Sequence, residues 1–115
     1  MHEMPVVMNV VDLIDDYARK NDVKEVRKVT MEIGEIAMVM PNYFRNFWAP
    51  VIETSEFCKN AELVIEIEPG IGQCRECEND FNIEQNNGVC PKCGAVEKFQ
   101  ILSGRDVQIR EIEVL

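Results

Sequence analysis

The sequence predicts an α+β protein: a three-stranded sheet with two helices packed on it, plus a zinc-ribbon module inserted before the last strand. Three observations carry this. Helical and strand periodicities alternate in the order helix, strand, helix, strand, cysteine-rich segment, strand. The cysteine-rich segment holds two CxxC pairs, Cys74/Cys77 and Cys90/Cys93, separated by twelve residues. Finally, 46% of the 115 residues are hydrophobic, enough for one small core and a stapled module. The expected division is residues 1–72 together with 99–115 as the α+β domain, and 73–98 as the ribbon.

The first helix is expected over 5–20. Pro5 suits a first turn, where its missing N–H is not needed. Val7, Val10, Val11, Ile14, Tyr17 and Ala18 then recur at helical spacing, and Asn21-Asp22 is a stop. Residues 26–38 read as a strand, because Val29, Met31 and Ile33 alternate with Thr30 and Glu32. Gly34 interrupts it and marks a bulge or a close backbone approach. Pro41 opens a second helix with an apolar stripe of Tyr43, Phe44, Phe47, Trp48, Val51 and Ile52. Pro50 lacks an N–H and crowds the carbonyl of Asn46, so this helix is expected to kink or end early. Leu63, Ile65 and Ile67 alternate with glutamates in a strand over 62–69, and the tail DVQIREIEVL resumes strand character.

The charge balance is acidic, twelve basic against twenty-one acidic residues, for a net charge of −9. Nucleic-acid modules usually present a basic face to phosphates, so nucleic acid is not an expected partner. An acidic surface suits cations or basic protein surfaces. No apolar run approaches the ~20 residues of a membrane helix. The N-terminus has no basic, apolar and small-residue succession, so a cytoplasmic protein is expected.

Each CxxC forms a tight turn that aims two sulfurs at one point, and two such turns supply the four thiolates that tetrahedral Zn²⁺ takes. Gly94 follows the second pair, and Asn87-Gly88 supplies a hairpin turn. Four thiolates also hold a single iron, as in rubredoxin. Zinc needs no redox partner and suits a structural site. Phe81, Ile83 and Val89 cannot build a core unaided, so the metal would act as a staple. The fifth cysteine, Cys58, reads as a buried structural thiol.

The one histidine is His2, in the opening MHEM. Its bulk predicts retention of Met1. The α-amine of Met1, the backbone nitrogen of His2 and its imidazole then offer three nitrogens, and Glu3 adds an oxygen or its own backbone nitrogen. Such an N/O set suits Ni²⁺ or Cu²⁺ and differs from the thiolate site. Taken alone, a histidine near a terminus is more often a frayed surface residue.

The opening MHE, the Gly34-Glu35-Ile36 segment on a strand and the late paired CxxC ribbon together resemble the HypA family of nickel metallochaperones for [NiFe]-hydrogenase maturation. The likeness covers essentially the whole chain. It implies no enzyme activity, Ni²⁺ held weakly as cargo at Met1, His2 and Glu3, and a structural Zn²⁺ at Cys74, Cys77, Cys90 and Cys93. It implies as partners the nickel GTPase HypB, the hydrogenase large subunit, urease accessory proteins in some members, and a homodimer. Some members place an acid shortly after the Gly-Glu pair, near the nickel. Here Met40 stands in that place, leaving a fourth ligand to Glu3, to water or to another acid such as Glu35. A zinc-ribbon adaptor that binds protein or nucleic acid is the alternative from another class. It would show a basic or aromatic patch on the ribbon, where this segment carries Glu76, Glu78, Asp80 and Glu84 against Arg75, Lys92 and Lys98.

Overall fold

The computed structural model describes residues 3–115. Helix α1 spans Glu3–Lys20 and buries Val7, Val10, Val11, Ile14 and Ala18, a stripe at three- and four-residue spacing. It begins two residues before the expected start: Pro5 falls within the first turn, where the N–H is dispensable, and Glu3 faces the positive end of the helix dipole. At the other end Asp22 takes a left-handed φ of 55°, and Val23 N–H returns to the Ala18 carbonyl at 3.0 Å. That bond satisfies a carbonyl the helix would otherwise leave open.

Strand β1 covers Val26–Gly34, with Val29, Met31 and Ile33 fully buried. The expected extension to residue 38 is not seen. Beyond Gly34 the chain turns, Ala37 N–H bonding to the Gly34 carbonyl at 3.0 Å. The reason is a close approach: a Cβ on Gly34 would collide with the backbone carbonyl of Gly104.

Helix α2, Pro41–Ile52, buries Phe44, Trp48, Val51 and Ile52, with Phe44 and Trp48 stacked at 6.4 Å. Tyr43 of the expected stripe is instead exposed. Pro50 does not break the helix at once, and two further residues follow it. Asn46 and Pro50 lie on the exposed side, where water can take the carbonyl that Pro50 cannot serve. Trp48 Nε1 donates to the Ala61 carbonyl at 3.0 Å, tying α2 to the approach of strand β2, Glu62–Glu68.

Four more strands follow: β3 (Ile71–Cys74), β4 (Asp80–Asn82), β5 (Phe99–Ser103) and β6 (Val107–Val114). One sheet has the order β2-β1-β6, so the first strand in the chain is central. The second has the order β4-β3-β5, antiparallel throughout. Gly72 pairs Phe81 on one side and Ile101 on the other.

Two compact units result. One holds Met1–Glu32, Val39–Glu66 and Gln108–Leu115; the other holds Ile33–Met38 and Ile67–Val107. The first contains α1 packed on α2, with Val29 and Met31 of β1 buried in it. The second contains the ribbon. No helix among the described residues is long and apolar enough to cross a membrane.

Candidate metal centre

The ribbon presents two matching knuckles. In the first, Glu78 N–H bonds the Cys74 carbonyl at 2.9 Å and Cys74 N–H bonds the Asn79 carbonyl at 2.9 Å; in the second, Gly94 pairs with Cys90 and Cys90 with Ala95, again at 2.9 Å. Each turn needs a left-handed residue directly after its second cysteine. Gly94 fills that position with φ 79°, and Glu78 fills it with φ 64°. Glutamate carries a Cβ penalty there that glycine escapes.

Both turns aim inward. Cys74 Sγ lies 3.5 Å from Cys93 Sγ, and Cys77 Sγ lies 3.6 Å from Cys90 Sγ. All four sulfurs fall within 4.8 Å of one another. Zn–S bonds of about 2.3 Å in a tetrahedron put sulfurs ~3.8 Å apart, so the cluster has the size of a metal site. N–H groups support the sulfurs: Glu76 N–H reaches Cys74 Sγ at 3.4 Å, and Asn79 Nδ2 reaches Cys90 Sγ at 3.8 Å.

The electrostatics of the cluster call for a cation. Burial opposes ionisation of the Cys90 thiol, yet the backbone N–H groups of Cys93 and Lys92 and the adjoining sulfurs lower it to about 6. For Cys93 the backbone N–H of Ala95 favours the thiolate, but the Cys74 sulfur and burial push it up to about 12. Cys90, the sulfur that ionises most readily, is thus among the groups that hold Cys93 neutral, and a divalent cation removes the conflict. Four protein thiolates close the coordination sphere and leave no position for a reacting water.

Beneath the sulfurs, Cys74, Phe81 and Cys90 form a small cluster with Cys77, Ala95 and Phe99 against it. Phe81 and Phe99 meet edge to face at 5.7 Å. Asn87 and Gly88 both have positive φ, and Val89 N–H closes the turn on the Asn86 carbonyl at 2.9 Å. This is the turn expected of an Asn-Gly pair.

Met1 and His2, the expected nitrogen donors, lie outside the described residues. Glu3 is described and is buried, with 5% of its surface exposed. Its Oε2 accepts the backbone N–H of Met40 at 3.4 Å. Met40 is the residue at the N-terminal cap of α2, and its own side chain makes no cap bond. A carboxylate from α1 therefore supplies the negative charge that the first turn of α2 lacks. Sequence reasoning missed this contact. The one available signal was a helix opening on Pro41 behind a methionine that cannot cap.

Glu35, considered above as a spare ligand, is engaged within the ribbon unit. Its Oε1 accepts Gly70 N–H at 2.9 Å and Asn82 Nδ2 at 3.0 Å. Cys58 is fully buried, and its thiol is pushed up to about 11, first by burial and then by the neighbouring Asp15 carboxylate. It is a structural thiol, as its position in the sequence suggested.

Residues 1–114 match the family model described as hydrogenase/urease nickel incorporation, metallochaperone, HypA. The chain is 35% identical to the hydrogenase maturation factor HypA of Trichodesmium erythraeum (strain IMS101), over 99% of this chain and 96% of that protein. It is likewise 35% identical to the factor of that name from Aquifex aeolicus (strain VF5), over 99% and 97%. The solution structure of the Ni metallochaperone HypA from Helicobacter pylori superposes with a TM-score of 0.73 at 29% identity, covering 100% of this chain and 98% of that one.

Proposed function

The chain belongs to the HypA family of hydrogenase/urease nickel-incorporation metallochaperones, and on that premise we propose that it takes up Ni²⁺ through Met1, His2 and Glu3 and passes it on during maturation of [NiFe]-hydrogenase. The observation that carries this reading is the family match from residue 1 to residue 114, which includes the MHE opening. Zn²⁺ is the structural ion of Cys74, Cys77, Cys90 and Cys93, in keeping with a closed tetrahedral thiolate set. The two ions are sorted by donor chemistry: sulfur for the permanent one, nitrogen and oxygen for the cargo.

The placement of Glu3 bears on how cargo is held. Its carboxylate is already the partner of Met40 N–H. Drafting that oxygen onto nickel releases a hydrogen bond worth ~1 kcal/mol, a small cost that keeps exchange easy in both directions. Donors on adjacent residues can be replaced one at a time by a receiving protein. Imidazole coordination needs the neutral ring, so nickel uptake weakens as pH falls below ~6.5. The receiving partners in this reading are HypB and the hydrogenase large subunit, with urease accessory proteins as a second route, in the cytoplasm. A homodimer is part of the same proposal. The chain supplies binding and transfer, and chemistry that consumes nucleotide belongs to its partner.

The test is calorimetric titration of Ni²⁺ into the untagged chain, into His2→Ala, and into a chain extended before Met1. Loss of binding in both variants, with zinc content unchanged, supports the assignment. Unchanged affinity in both overturns it.

A further inference from the structure

Helix α1 has an uncovered apolar edge beside strand β6. Leu13 and Tyr17, one turn apart, are 62% and 51% exposed. With Ile14 below and Ile109 and Ile112 opposite, they line an open groove of about 300 Å³. β6 is an outer strand of its sheet, so the groove runs along a free sheet edge. The volume is at the small end of ligand pockets, and no set of polar groups converges in it. It suits a few apolar side chains of a macromolecule better than a metabolite.

The charges around the groove select among occupants. Asp12 and Asp16 flank Leu13 on α1, while Glu111 lines the groove and Glu113 follows it on β6. Arg19 is paired with Asp16 and Glu56, and Arg110, which lines the groove, with Glu66 and Glu32. Lys20, one turn beyond Tyr17 on α1, is the nearby cation outside these pairs, and the acidic residues outnumber it. Among the described residues no ion pair engages Asp12, Glu111 or Glu113. A second copy docked groove to groove would set its own Asp12, Glu111 and Glu113 against this acidic rim, and like charges oppose self-association through this face. We propose that the groove between α1 and β6 is a docking site for a basic amphipathic segment of a partner protein, its apolar side chains between Leu13, Tyr17, Ile109 and Ile112 and its Lys or Arg residues facing Asp12 and Glu111. The lining includes neither Glu3 nor any of the four ribbon cysteines.

The probe is a short amphipathic peptide built from leucine and lysine, titrated by fluorescence anisotropy against the full zinc-loaded chain, with a leucine–glutamate peptide of the same pattern as control. Leu13→Asp adds a negative charge, so purely electrostatic attraction of the lysine peptide would strengthen, whereas loss of the apolar slot weakens it. The expected result is saturable binding of the lysine peptide alone, weakened about tenfold by Leu13→Asp and again by Glu111→Lys. Tyr17→Ser serves as a second variant on an exposed position. Binding unchanged or tightened in Leu13→Asp and Tyr17→Ser overturns the proposal. So does equal binding of the glutamate peptide, or a dimer in sedimentation that Leu13→Asp dissolves.

Discussion

Ser55 donates its hydroxyl across both oxygens of the buried Asp15 carboxylate, at 2.8 and 2.9 Å. The same Asp15 Oδ1 accepts Phe57 N–H at 3.3 Å, and Ser55 Oγ accepts Cys58 N–H at 2.9 Å. A carboxylate in the middle of α1 is thereby fastened to the segment after α2. Ser55→Ala removes one donor from the carboxylate and one acceptor from Cys58. The expected loss is about 1–3 kcal/mol, read from urea unfolding. A midpoint shift within error would show that water replaces the hydroxyl.

Cys58 predicts a stability loss in alkali. Its folded pKa of about 11 lies above the ordinary value of 9.0. The stabilisation from keeping this thiol neutral is complete below pH 9 and is lost as pH rises through 11, because only the unfolded chain ionises it in that window. Two units correspond to about 2–3 kcal/mol as an order of magnitude. Melting temperatures at pH 8 and pH 10.5 should fall further for the native chain than for Cys58→Ala. Equal falls would assign the loss to lysines and tyrosines. Alkylation of Cys58 at pH 8 should also be slow until the protein unfolds.

If the four cysteines hold the proposed Zn²⁺, its removal is expected to unfold the ribbon. Cys74, Phe81 and Cys90 make a core too small to stand alone, and structural zinc typically contributes ~10 kcal/mol or more to such modules. A chromogenic chelator should release one ion per chain, and hydrogen exchange should then accelerate from Ile71 to Ser103 while Val29 and Met31 stay protected. Cys90→Ser should reproduce this without chelator. Retained protection in the ribbon would show that its strands suffice.

Glu78 is the left-handed residue of the first knuckle, in the position that glycine fills in the second. Glu78→Gly relieves a steric cost of ~1–2 kcal/mol, offset in part by the greater freedom of glycine in the unfolded chain. A net gain of up to about 1 kcal/mol is expected. Metal release to a fixed chelator concentration should slow accordingly. Faster release would mean that the glutamate side chain itself supports the cluster.

Gly34→Ala should be severe. Its Cβ would overlap the Gly104 carbonyl, and backbone cannot swing aside as a side-chain tip does. The same stretch bonds Gly34 N–H to Asp106 and Ile36 N–H to Gly104, at 2.8 and 2.9 Å. A cost of about 2 kcal/mol or more is expected in chemical denaturation. A loss below ~0.5 kcal/mol would show that the contact relaxes freely.

Much of this architecture was legible locally. The buried stripe of α1 follows from the spacing of Val7, Val10, Val11, Ile14 and Ala18, and the Asn87-Gly88 turn from two residue types that tolerate positive φ. The convergence of Cys74, Cys77, Cys90 and Cys93 was readable because each CxxC dictates its own turn. The strands β3, β4 and β5 escaped notice, since three to five residues are too few for alternation to stand out. The early end of β1 was hidden because it depends on Gly104, seventy residues on.

Short-range pattern therefore determined the helices and the knuckles, because spacing along the backbone sets which neighbours share a face. Only the tertiary structure decided that β1 lies between β2 and β6, that Glu3 meets Met40 N–H, and that Asp15 meets Ser55. Those partners are 37 and 40 residues apart in the chain. No local preference joins them; they meet because burying the apolar faces of α1 and α2 leaves their polar groups no other partners.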